Sequence, residues 1–202
     1  MVGGLIFMVV LIAGITIYME VRRQASKAME MVAQEKSDIS TLSHMTAHLV
    51  TFRTAGKMCI LAASDVMGLL FYRVISRSGE VARMQLLLTN IQQVHLFIDG
   101  TQQSASFYST QTTPNLKATE ASNAAVADMA ATDLENLHSL ELRLKYISNN
   151  QQEKVLRIPL LHLPSGSPPP QNALGLTRHA IWWHYFLRFA IQDCKKIMPQ
   201  AK

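Results

Sequence analysis

The chain has 202 residues, of which 49% are hydrophobic and only 16% charged, and its formal net charge is +5. That length holds one domain with a real core, and so apolar a composition excludes disorder of the whole chain. Two cysteines, Cys59 and Cys194, exclude a disulfide-dense scaffold and a four-cysteine zinc site, while the modest positive charge permits contact with anionic surfaces without demanding it.

Residues 2–18 read VGGLIFMVVLIAGITIY, a run without a charge that Met19 extends and Glu20, Arg22 and Arg23 close. A helix crossing a bilayer needs about 20 apolar residues, with about 17 as the lower bound. A cleaved signal peptide would bring a basic leader and a small-residue cleavage site, and this run has neither; a buried core helix is the third reading. The preferred reading is a retained single-pass membrane anchor over residues 1–20. Arg22, Arg23 and Lys27 place the following bulk in the cytoplasm by the positive-inside rule, and a basic leader lost from the start would reverse that, so the side stays open. Gly3, Gly4 and Gly14 would let a partner helix approach closely in the bilayer.

Residues 21–100 read as helical. The stretch 19–52 lacks glycine and proline, is rich in helix formers, and spaces Met29, Val32, Ile39, Leu42, Met45 and Leu49 mostly at helical intervals. One helix is therefore expected from the anchor to about Phe52, with a break over Arg53–Gly56. Met58–Tyr72 (MCILAASDVMGLLFY) reads as a buried core helix or as a second span or re-entrant segment; Asp65 at a bilayer centre would cost about 2.5–3.5 kcal/mol. After a break at Arg77–Gly79, Val81, Met84, Leu88, Ile91, His95 and Ile98 resume helical spacing up to Gly100.

Residues 101–114 are polar and form a loop. Thr113-Pro114 then offers a hydroxyl N-cap and a first-turn proline. A long helix is expected over 115–158, where Val126, Ala130, Asp133, Leu137, Leu140, Leu144 and Ile147 make a coiled-coil-like seam. Asp133 either sets the register or yields its place to Leu134. Residues 159–172, with Pro159, Pro164 and Pro168–Pro170, read as a linker. Residues 173–202 read as an amphipathic helix in which Trp182, Trp183, Tyr185, Phe186 and Phe189 interleave with Arg178, Arg188, Lys195 and Lys196. Docking on the core, lying in a membrane interface and stacking on nucleic acid compete there, and the last is set aside.

Chemistry is sparse. His44 and His48 stand one helical turn apart, as two zinc ligands would, but the glutamate of the HExxH motif is replaced by Met45, and the default is two partly exposed histidines. Cys59 and Cys194 would pair in an exported domain, or serve as small buried thiols. Asp65 has Lys57 or Arg73 as a charge partner. No nucleophile elbow, phosphate loop, dinucleotide fingerprint or CxxC occurs, so no catalytic residue, cofactor or metal site is expected.

An apolar N-terminal helix leading into Ser37-Asp38-Ile39-Ser40-Thr41-Leu42-Ser43 resembles the minor pilin-like proteins of tight-adherence (Flp) pilus systems. Those proteins carry an alanine-rich Ala-Asp-Ala-Ala-Ala-Leu-Ala type segment about a dozen residues after the anchor; Asp38 and Leu42 match it and the alanines are substituted. The resemblance covers the first fifty residues. It implies an envelope protein that packs its apolar helix against other subunits or waits in the membrane for assembly.

The sequence thus predicts a mainly α fold, with a transmembrane helix continuing into a helical bundle or coiled-coil-like region. The expected role is a structural or assembly component of a pilus- or secretion-like envelope complex, acting by helix packing and not by catalysis. Membrane lipid, other subunits and further copies of the chain are the expected partners, and nucleic acid is not. Leu137, Leu140, Leu144 and Ile147 with the aromatic residues of 182–189 are the expected docking surfaces outside the anchor. The rival reading is a sensory or regulatory membrane module with a helical bundle.

Overall fold

The computed structural model describes residues 2–41, 48–54, 56–104, 107, 109, 111–129 and 134–197, with side chains described from Leu11 onward in the first helix and at Phe52 in the first strand. Helix α1 spans Val2–Thr41. Strands β1 (His48–Thr54), β2 (Lys57–Ser64), β3 (Leu69–Ile75) and β4 (Val81–Leu87) follow as an antiparallel meander in the order β1-β2-β3-β4. A 3-10 turn at Leu88–Asn90 leads to β5 (Ile91–Ile98), the two-residue β6 (Thr101–Gln102), α2 (Pro114–Ala127), β7 (Ser139–Ile147), β8 (Glu153–His162) and α3 (Ala173–Ile197). The second sheet is antiparallel, in the order β6-β5-β7-β8.

Strands β2 and β3 of the first sheet are packed on both faces. Ile60 and Ala62 of β2, with Phe71 and Ile75 of β3, pack against Val32 and Ile39 of α1. The alternate residues Cys59, Leu61, Ala63, Leu70 and Tyr72 join the main core, which also holds the inner face of the second sheet and the apolar sides of α2 and α3. Side chains of a strand alternate between faces, so a strand covered on both sides must be apolar throughout. That explains MCILAAS. The turn after it needs a left-handed residue, which Gly68 supplies with φ +64°.

These elements correct the mainly α expectation: the fold is mixed, with two four-stranded antiparallel sheets in place of a helical bundle. Met58–Tyr72 is a β-hairpin rather than a core helix or second span, and Glu80–Asp99 is β4, a 3-10 turn and β5. An unbroken apolar run fits a doubly covered strand as well as a buried helix. The 115–158 helix resolves into α2, β7 and the start of β8, which removes the coiled-coil seam; its Ala130 and Asp133 lie outside the described residues. Pro159 stands inside β8, where the β7–β8 pairing shifts register beside Leu140. A bulge on an edge strand tolerates the missing N–H, so the linker begins only after His162.

The single-pass membrane localisation is also corrected. Among the described residues no helix is long and apolar enough to cross a membrane. The opening apolar run sits at the lower bound of length, and it forms part of a 40-residue helix that also carries Glu20, Arg22, Arg23 and Lys27.

Candidate interaction surface

Helix α1 is held to the body by one stripe. Ala28, Val32, Glu35 and Ile39, spaced four, three and four apart, are its buried residues; that spacing puts them on one face. Glu35 is 1% exposed and lies between two arginines. Arg73 of β3 donates from Nε to Glu35 Oε2 at 3.2 Å. Its Nη1 donates to the carbonyls of Met84, at 2.7 Å, and Tyr72, at 3.3 Å, and its guanidinium lies 5.5 Å from the Phe71 ring centre. Arg83 of β4 donates from Nε to Glu35 Oε1 at 3.0 Å, and its Nη2 donates to the same oxygen. Burial pulls the Arg73 pKa below its ordinary value while the Glu35 charge opposes that, and the hydrogen bond to Glu35 raises Arg83. A buried pair of this kind contributes little net stability as a whole, but removing one partner strands a charge in a poorly solvating site.

Above this clamp α1 leaves the body. Leu11, Ile12, Ile15, Ile17, Tyr18, Met19 and Val21 are all exposed, from 47% at Leu11 to 66% at Tyr18. They cover more than half of the helix's circumference, the remaining side carrying Ala13, Thr16 and Glu20, and a Cβ added at Gly14 would meet nothing within 4 Å. So large an exposed apolar face is the mark of a surface that is covered in its working state, and the described part of this chain supplies no cover. Where the helix departs, a cavity of about 280 Å³ opens between Val21, Ala25 and Ala28 of α1 and Met58, Ile75 and Arg77 of the sheet.

The other residues singled out by the sequence have places inside the fold. Gly3 and Gly4 lie in the first turn of α1, and their surroundings fall outside the described residues. Leu137, Leu140 and Leu144 are buried in the main core, and Ile147 ends β7 half-buried. Helix α3 packs against α2 and the second sheet; Trp183, Tyr185 and Phe186 are buried there, with Trp182 and Phe189 partly so. Trp182 stacks on Phe186 with ring centres 4.9 Å apart, and its Nε1 donates to Thr119 at 3.2 Å, while Trp183 Nε1 donates to His179 at 3.0 Å. The aromatic segment is therefore turned inward, onto its own core.

His44 lies outside the described residues, and His48 belongs to β1. Among the described residues no three His, Cys, Asp or Glu side chains gather as a metal would require. Cys59 and Cys194 are free and buried; the Tyr72 hydroxyl donates to Cys59 Sγ at 3.8 Å, and Cys194 Sγ donates to the Asp65 carbonyl at 3.5 Å. Asp65 sits in the β2–β3 turn, where its carboxylate accepts from Val66 N, and Arg73 pairs with Glu35 instead. Sequence reasoning missed Glu35 and Arg83. The available signal was a carboxylate three residues after Val32 and four before Ile39, on the apolar stripe itself. No family model, curated protein or solved structure matches this chain.

Proposed function

We propose that the chain is a structural subunit of a larger cell-envelope assembly, pilus- or secretion-like, and joins it without catalysis by packing the first half of α1 against the same segment of further copies. The observation that carries this reading is the broad exposed face of large apolar side chains from Leu11 to Val21 on a helix whose second half is clamped to a folded body. Burying such residues contributes about 1.5–3 kcal/mol each, so several of them supply ample drive for association. The small Gly14 leaves room for close backbone approach. The likeness of residues 37–43 to the tight-adherence minor pilins supports the same reading.

The test is sedimentation of the full chain beside a Leu11→Glu/Ile15→Glu variant. The expected result is an oligomer for the parent and a monomer for the variant, with unchanged far-UV circular dichroism. A parent that stays monomeric at tens of micromolar, or that is recovered only as a monomer on lipid vesicles, overturns the proposal.

A further inference from the structure

Far from α1, a cleft of about 420 Å³ separates α3 from β5 and β6. One wall is a single face of α3, where His184, Arg188, Ile191 and Lys195 follow one another at intervals of four, three and four. The other wall is built by a bulge. The β5–β7 pairing passes from Ile91↔Tyr146 to Gln93↔Lys145, leaving Gln92 as the extra residue, and Gln92 and Gln93 both line the cleft. Bulges re-aim side chains in this way and are frequent beside functional sites.

The lining has a definite chemistry. Arg188 and Lys195 stand two turns apart on α3, about 10 Å along its axis. Lys195 Nζ is braced on the Ile91 carbonyl at 2.9 Å. His95 is braced from both sides: the Gln102 amide lies 3.0 Å from Nδ1, and Gln93 Oε1 lies 3.2 Å from Nε2. His184 closes the floor, its Nε2 3.2 Å from the Val94 carbonyl. Burial is the main cause that holds His184 neutral, and the charges of Arg188 and His95 add to it. No carboxylate occurs among the described lining residues, and five glutamines with Ser104 supply amide and hydroxyl groups. The volume is that of a small-molecule site.

We propose that this cleft binds a small polyhydroxylated organic anion of the size of a sugar acid or a sugar phosphate. Arg188 and Lys195 hold the acid group through charge-assisted hydrogen bonds, and the glutamine amides take the hydroxyls. The described lining offers imidazoles but no Phe, Tyr or Trp ring, which disfavours a stacked nucleobase. The inference is independent of the assembly role of α1.

Calorimetric titration of the full chain with glucuronate, glucose 6-phosphate, glucose and inorganic phosphate tests it. The expected result is saturable binding of glucuronate or glucose 6-phosphate, with the tighter of the two identifying the acid group, and no measurable binding of glucose. Arg188→Gln and Lys195→Gln should each weaken binding by about tenfold. Gln92→Leu, at an exposed bulge position where folding is not at stake, should weaken it by less. No binding of either charged sugar at about 10 mM, equal binding of inorganic phosphate, or full affinity in the Arg188→Gln/Lys195→Gln double variant would each overturn the proposal.

Discussion

Arg73 on β3 and Glu35 on α1 are 38 residues apart in sequence and 3.2 Å apart in space, and both are buried. This contact fixes which turn of α1 lies over the first sheet. Glu35→Ala leaves the Arg73 guanidinium buried without its counter-charge and should cost about 3–5 kcal/mol of stability, read from urea denaturation. Glu35→Met combined with Arg73→Met should recover most of that loss, because two well-packed apolar chains replace a paired charge at little cost. A Glu35→Ala loss under about 1 kcal/mol would show that Arg73 is well solvated.

Stability should rise with pH across the acid range through His184. Its folded pKa is lowered from 6.5 to about 4, chiefly by burial, so between those values the unfolded chain binds more protons than the folded one. The contribution is complete above the unfolded value and is lost as pH falls through about 4, amounting to about 3 kcal/mol. Burial lowers His179 in the same sense. Denaturation midpoints at pH 7, 5.5 and 4 should fall in that order, and the fall should be smaller in a His184→Gln variant.

Trp183→Ala should be among the most damaging single changes. The indole is fully buried and anchors α3 in the main core, so its removal should cost about 3–5 kcal/mol. Trp182→Ala, at a half-buried position one residue earlier, should cost clearly less. Paired thermal melts of the two variants check the order.

Both thiols should be slow to react. Burial raises the pKa of Cys59 and of Cys194, and neither side chain is open to solvent. Iodoacetamide at pH 8 should alkylate the urea-unfolded chain fully while leaving the native chain unlabelled over the same interval. Rapid native labelling at Cys194 would place the end of α3 in an open conformation.

Helical segments were legible where caps and length agreed. Thr113 accepts from Leu116 N at 3.4 Å to start α2, and α3 ends at Ile197 within the expected 173–202 segment. The strands were hidden for physical reasons. Leu140 and Leu144 are four apart, an interval shared by one helical turn and two strand repeats. Leu142 and Tyr146, which are buried in alternation with Glu141, Arg143 and Lys145, are what distinguish β7 from a helix. In β2 both faces are covered, so no alternation exists to read. The clamp was illegible because Arg73 and Arg83 meet Glu35 only once β3 and β4 lie beneath α1. The α3 cleft depends on a one-residue register slip that composition does not encode.

Helix α1 is 40 residues long, which at 1.5 Å per residue makes a rod of about 60 Å. Among the described residues its buried side chains lie between Ala28 and Ile39, in the carboxyl-terminal third. The rod therefore works as a lever. A sideways push on its amino-terminal turns reaches the first sheet multiplied by the ratio of the arms, and the Glu35 ion cluster is the fulcrum that must resist the torque.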